Sequence, residues 1–170
     1  LGLPSNTGLA IETGNFTVEA WIYVSATTNY KCIYGNWSDA LGGSVLFCIY
    51  GGAPALLWRP YNIAAPLATG PALQLNAWNH VYTNGVAGTP VTYSTDPGTT
   101  TSYYVGAYSS GASGQWAGYM ADVRVVKGTA VYTSNFTPPT APLTAVTNTQ
   151  LLLNCTNAGI IDNAAKNDIE

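Results

Sequence analysis

The chain has 170 residues and a formal net charge of −3, from 5 Lys and Arg against 8 Asp and Glu. Charged residues make up 8% of it, where ordinary soluble domains carry about 25%. So few cations cannot build the basic footprint that a phosphate backbone requires, which excludes a nucleic-acid partner. With 47% hydrophobic residues, one domain of this length buries a substantial core, and no run approaches the roughly 18–20 apolar residues of a membrane span.

Alternation with a period of two dominates the chain, and no stretch shows a helical stripe. The first clear element is Phe16 to Val24 (FTVEAWIYV). Phe16, Val18, Ala20, Ile22 and Val24 form an apolar face directed at a core, and Thr17, Glu19, Trp21 and Tyr23 form the opposite face. Further strands are expected over Lys31 to Tyr34, Val45 to Tyr50, Ala55 to Arg59, Ala77 to Tyr82, Val91 to Ser94, Ser102 to Ala107, Ala117 to Lys127 and Gln150 to Cys155. Gly, Pro, Asn and Asp clusters separate them. Many short strands with regular turn signals predict an all-β fold of two packed antiparallel sheets or a barrel. The run Thr137 to Pro142 (TPPTAP) lacks a backbone donor at its prolines and is expected to be an extended covering segment.

The cysteines, Cys32, Cys48 and Cys155, form no C-x-x-C pattern and sit near no histidine pattern, so a zinc site is not expected. All lie in apolar strand-like runs and read as buried free thiols. Cys32 with Cys48 is the one pair that reads as a candidate bridge. No signal peptide is expected, since Leu1 already reads as folded sequence.

Several stretches resemble the laminin-G-like domains of the concanavalin A-like lectin/glucanase type that recur in phage tail fibres and other virion proteins. They are Gly14 to Tyr23 (GNFTVEAWIY), Trp78 to Val81 (WNHV), Tyr104 to Gly106 (YVG), Gly118 to Val126 (GYMADVRVV) and Lys127 to Pro139 (KGTAVYTSNFTPP). The last two run together and are the most specific. The resemblance implies a two-sheet antiparallel β-sandwich, a concanavalin A-like jelly roll, over residues 1–155. Residues 156–170 then form a linker leading toward a further repeat. Against the family pattern, an opening strand before Leu1 and a strand and turn after Val81 are absent. The chain therefore reads as part of a longer, repeat-containing protein.

Glucanases of related folds use two carboxylates about 5–10 Å apart. The face of Glu19 offers only Thr17, Trp21 and Tyr23 on its own strand, so no catalytic pair and no enzyme is expected. On a second strand, Asp122 and Arg124 share a face flanked by Met120 and Val126. Glu19 is expected to pair with Arg124 in a structural ion pair, because a buried carboxylate needs a partner and Arg suits the task. His80, the single histidine, has no nucleophile motif beside it, and with Trp78 it is expected to be a packing residue. Trp21 and Trp116 read as structural too.

Asp39, Asp96 and Asp162 lie in loops as candidate calcium ligands of the kind some laminin-G-like domains use. No dense D-x-D-x-D pattern occurs, so they are expected to form turns, and no cofactor is expected. The sequons at Asn15, Asn36, Asn135 and Asn154 read as by-products of an Asn- and Thr-rich composition. Trp37, Trp58, Tyr61 and Tyr108 lie in or beside Gly-, Pro- and Asn-rich loops and are the candidate glycan contacts, because exposed rings stack on the apolar faces of sugars. The competing reading buries the same rings against a neighbouring subunit.

The resemblance, the low charge and the lack of a catalytic set together lead to a virion-surface expectation: a structural and adhesive module of a tail fibre or capsid decoration. Its expected partners are other virion proteins, copies of itself (most simply as a trimer) and host-surface glycan. A stand-alone lectin is the second reading and a glycoside hydrolase the third.

Overall fold

The computed structural model describes residues 1–11, 14–27, 30–36, 44–59, 65–85, 102–107, 114–156 and 159–164. Its strands are β1 (Gly2–Leu3), β2 (Phe16–Val24), β3 (Lys31–Gly35), β4 (Ser44–Tyr50), β5 (Ala53–Arg59), β6 (Ala65–Thr69), β7 (Ala77–Gly85), β8 (Tyr103–Val105), β9 (Tyr119–Lys127), β10 (Thr149–Thr156) and β11 (Gly159–Asp162). No helix occurs among the described residues. Two antiparallel sheets are stacked in a sandwich. One has six strands in the order β1-β8-β3-β4-β5-β6, and the other has five in the order β11-β10-β9-β2-β7. The all-β, two-sheet expectation holds.

The interior is filled from the facing sides of the two sheets, by alternate residues except at the register shift in β3, where Ile33 and Tyr34 both join the core. Val18, Ala20 and Ile22 of β2, with Val123 and Val125 of β9 and Leu151 and Leu153 of β10, meet Ile33, Tyr34, Val45 and Phe47 of the six-stranded sheet. The period-two pattern of β2 thus maps directly onto inside and outside. Tyr34 keeps its phenol satisfied in this apolar layer by donating to the Leu9 carbonyl at 2.6 Å.

Some elements depart from expectation. β6 contains Pro66, which has no N–H to give. It forms at the sheet edge, where only one side of the strand needs donors, and the register shifts beside it between Leu56 and Leu57. The sandwich also runs past Cys155, because β11 pairs with β10 from Leu153↔Asp162 to Thr156↔Gly159. Within β9 the parity breaks: Trp21 lies opposite Ala121 and Glu19 opposite Arg124, so β9 spends one residue more than β2 over this span. Asp122, at φ 51, is the extra residue of this β-bulge. Met120 therefore packs against the interior instead of sharing the face of Asp122 and Arg124. The strand expected over Val91 to Ser94 lies outside the described residues.

The cysteines divide. Cys32 lies directly opposite Cys48 in the β3–β4 register, and both are buried free thiols in a small cluster with Leu46 and Ala55. Cys155 is exposed, against expectation, because it lies beyond Leu153↔Val123, the last pairing of β10 with β9. Burial pushes the Cys32 thiol well above its ordinary value and the Cys48 thiol up to about 12. A thiol reagent is accordingly expected to titrate Cys155 in the native protein and to reach Cys32 and Cys48 only after unfolding. Native reactivity at either buried position would contradict this packing.

Candidate functional site

The outer face of the five-stranded sheet carries both unusual features of the molecule: a buried charge cluster and an exposed row of rings. The cluster begins with Glu19, at the centre of β2, between β7 and β9. Arg124 of β9 donates from Nε to Glu19 Oε1 at 2.8 Å, and its Nη2 lies 2.5 Å from the same oxygen. His80 of β7 places Nε2 at 2.9 Å from Glu19 Oε2. Since an ionised carboxylate only accepts, this nitrogen carries the proton. Tyr132 completes the set by donating its hydroxyl to Glu19 Oε2 at 2.6 Å. Glu19 and Arg124 are thus brought together as the sequence suggests. His80 and Tyr132 join them, which the sequence reading did not foresee.

Tyr132 comes from the segment 129–144, which has no regular secondary structure and crosses the sheet as a strap. Polar groups of the sheet fasten it along its length. Val131 N donates to Thr17 Oγ1 at 2.8 Å, and Asn84 Nδ2 donates to the Tyr132 carbonyl at 2.5 Å. Arg124 Nη1 donates to the Thr144 carbonyl at 2.7 Å. Phe136 stacks on Tyr132 with centroids 3.9 Å apart and meets His80 and Tyr82 edge-on. The Pro-rich run is therefore a cover held in place by the sheet beneath it, not a strand.

Burial alone would raise the Glu19 carboxyl. The hydrogen bonds from His80 and Tyr132, together with the Arg124 charge and hydrogen bond, outweigh it and leave the group below its ordinary value of 4.5. The Tyr132 hydroxyl is pushed far upward by burial and by its bond to Glu19. Both carboxylate oxygens are occupied and the side chain has no exposed surface.

The second feature lies further along the same face. The register aligns Trp78 of β7, Tyr23 of β2 and Tyr119 of β9 in one row. Tyr23 meets Trp78 and Tyr119 edge-on, with centroids 5.9 and 5.8 Å away. The outer rings are open to solvent, Trp78 to 49% and Tyr119 to 69%. The strap stops short of this row, so Trp78, expected to be a packing residue, stands as a ridge. Gly118 sets the row's far end. At φ 141 its backbone presses on Tyr23, and a Cβ there would collide with the Tyr23 carbonyl oxygen.

Two recesses flank Trp78. One, of about 500 Å³, lies between Trp21, Trp78, Ala121, Asp122 and the strap residues Pro139 to Pro142. The other, of about 810 Å³, runs along β7 between Trp78 and residues 68–74. Of the ring candidates read from sequence, Trp37, Tyr61 and Tyr108 lie outside the described residues, and only the backbone of Trp58, in β5, is described. Asp39 and Asp96 lie outside them too, while Asp162 Oδ1 accepts from Leu152 N and Ala164 N as a turn-forming residue does.

Truncating Glu19→Ala leaves Arg124 buried without its counter-charge and is expected to cost about 3–5 kcal/mol in urea unfolding. Because folding holds the carboxyl below 4.5, its contribution is complete above that pH and is lost as the pH falls through the folded-state value. Unfolding measured between about pH 7 and pH 3 is expected to show this acid loss in the native protein and less of it in Glu19→Gln. Equal acid slopes in the two proteins would refute the assignment.

Comparison with known proteins adds the family. No curated protein and no solved structure matches the chain. A family model described as the concanavalin A-like lectin/glucanases superfamily matches residues 3–131. That span covers most of the chain and takes in β2 to β9, including Glu19, His80 and Arg124. The chain belongs to the concanavalin A-like lectin/glucanase superfamily.

Proposed function

We propose that this domain is a non-catalytic adhesive module at the surface of a phage virion, as part of a tail fibre or capsid decoration, and that it engages host-surface glycan. The observation that carries the reading is the open row Trp78–Tyr23–Tyr119, three rings set side by side on a rigid sheet. Rings of this kind offer contact area at low entropic cost and match the C–H faces of sugars. Membership of the superfamily fits a carbohydrate-binding or adhesive module, although the fold also hosts enzymes. A non-catalytic role is favoured because Glu19 is sealed by Arg124, His80 and Tyr132 and has no surface to offer a substrate.

The virion setting rests on the motif run from Gly118 to Pro139 and on the scarcity of charge. In that setting the module assembles with copies of itself, as a trimer, and with other virion proteins. Weak contacts at each domain become useful through the number of linked copies.

Trp78→Ala is expected to weaken binding to host-surface polysaccharide about tenfold, equivalent to roughly 1.4 kcal/mol, with the unfolding temperature little changed. Calorimetric titration measures the affinity, and competition of the isolated domain with phage adsorption tests the setting. Undiminished affinity in the variant would remove the ring row from the binding site.

A further inference from the structure

We infer that the face around Trp78 takes an extended, uncharged oligosaccharide, with one pyranose unit in the recess beside Asp122, and that it discriminates against acidic glycans. This rests on the glycan-binding reading above and adds the chemical class of the ligand.

The argument begins with the bulge. On a regular strand the residue next to Ala121 would point into the sandwich. The extra residue in β9 instead places Ala121 and Asp122 together on the wall of one recess, with Trp21 and Trp78. Asp122 pays for this with a left-handed backbone at φ 51, a conformation non-glycine residues adopt at a cost and one that clusters at functional positions. Asn154 steadies it, donating from Nδ2 to Asp122 Oδ1 at 2.5 Å and to the Leu143 carbonyl at 3.3 Å. Among the described residues the second carboxylate oxygen of Asp122 has no hydrogen-bond partner. It can accept from sugar hydroxyls, and hydrogen bonds to a charged acceptor are about twice as strong as neutral ones.

The surroundings decide the charge of the ligand. Arg124 is buried, and its guanidinium is taken by Glu19 and the Thr144 carbonyl. Lys127, at the opposite end of β9 from Tyr119, donates to the Thr7 carbonyl. Among the described residues no cation faces the recess. A sialic or uronic acid would therefore bring a carboxylate up to Asp122 with nothing to neutralise it, which is a repulsive contact of the kind that gives specificity. A neutral pyranose meets two indole side chains and one acceptor.

The arrangement also favours a chain over a single sugar. Trp78 borders both recesses, so units on either side of it can be occupied by one ligand passing over the ring. The recess of about 500 Å³ falls within the 300–1,000 Å³ typical of small-ligand sites.

The test uses a neutral lacto-series tetrasaccharide and its sialylated derivative, titrated calorimetrically into the native protein and into Asp122→Asn. Asn tolerates the left-handed backbone and can still accept from Asn154, so circular dichroism is expected to show an unchanged fold. The native protein is expected to bind the neutral sugar at least tenfold more tightly than the acidic one. The variant is expected to lose about tenfold toward the neutral sugar and to narrow the gap between the two. Equal or tighter binding of the sialylated sugar by the native protein, or an Asp122→Asn variant with unaltered preference, overturns the inference while leaving the glycan reading intact. Binding of neither sugar overturns both. If the variant does not fold, raising the salt with the native protein decides: the discrimination should shrink as screening increases, and salt-independent discrimination overturns the role of Asp122.

Discussion

A carboxylate with no exposed surface sits at the centre of the five-stranded sheet, and the arrangement around it follows from that constraint. Removing Glu19 from water costs several kcal/mol in any realistic treatment. The donors that offset this come from separate parts of the chain: His80 from the strand on one side, Arg124 from the strand on the other, and Tyr132 from the strap above. Their convergence fixes the relative register of β2, β7 and β9 and the height of the strap in one step. An apolar residue at position 19 would satisfy the sheet but would leave the Tyr132 hydroxyl of the strap without its acceptor.

The strap in turn divides the outer face. Where Tyr132 and Phe136 lie over His80, its side chain is covered, while Tyr82 beside them stays 41% exposed. Where the chain turns through Pro139 to Pro142, it forms a wall and leaves the next row of side chains open. The ring row and its recesses are thus a consequence of where the strap ends. A change in the buried cluster should be felt at Trp21, which packs on His80 with centroids 5.1 Å apart and also lines both recesses. Stability and binding are linked through that one indole.

Much of the fold was legible because β2 alternates without error, and each inward residue of FTVEAWIYV is buried. The Glu19–Arg124 pairing was legible for the same reason, since a lone acid on a ring-rich face demands a cation. What the sequence concealed was parity and register. The β-bulge at Asp122 contains no glycine, so nothing marks it, and it moved Met120 inward. β6 was hidden by its proline, which is tolerable only at an edge, and edges are a property of topology. The ring row was hidden because Tyr23, Trp78 and Tyr119 become neighbours only through the pairing of three strands far apart in sequence.

The family match takes in both the buried cluster and the ring row Trp78–Tyr23–Tyr119, and it stops within the first residues of the strap. The motif residues Glu19, His80 and Arg124 form the buried cluster, whose work is to hold the strap. The family match ends at residue 131, just before Tyr132, so the strap that shapes the recess lies almost entirely beyond it. A scaffold common to a superfamily can then carry different surfaces, because the polar anchor fixes where a strap docks without fixing which side chains it exposes. In this chain the side chains left uncovered are aromatic, with a single acid among them. That combination gives an otherwise structural sheet a face chemically suited to neutral sugars.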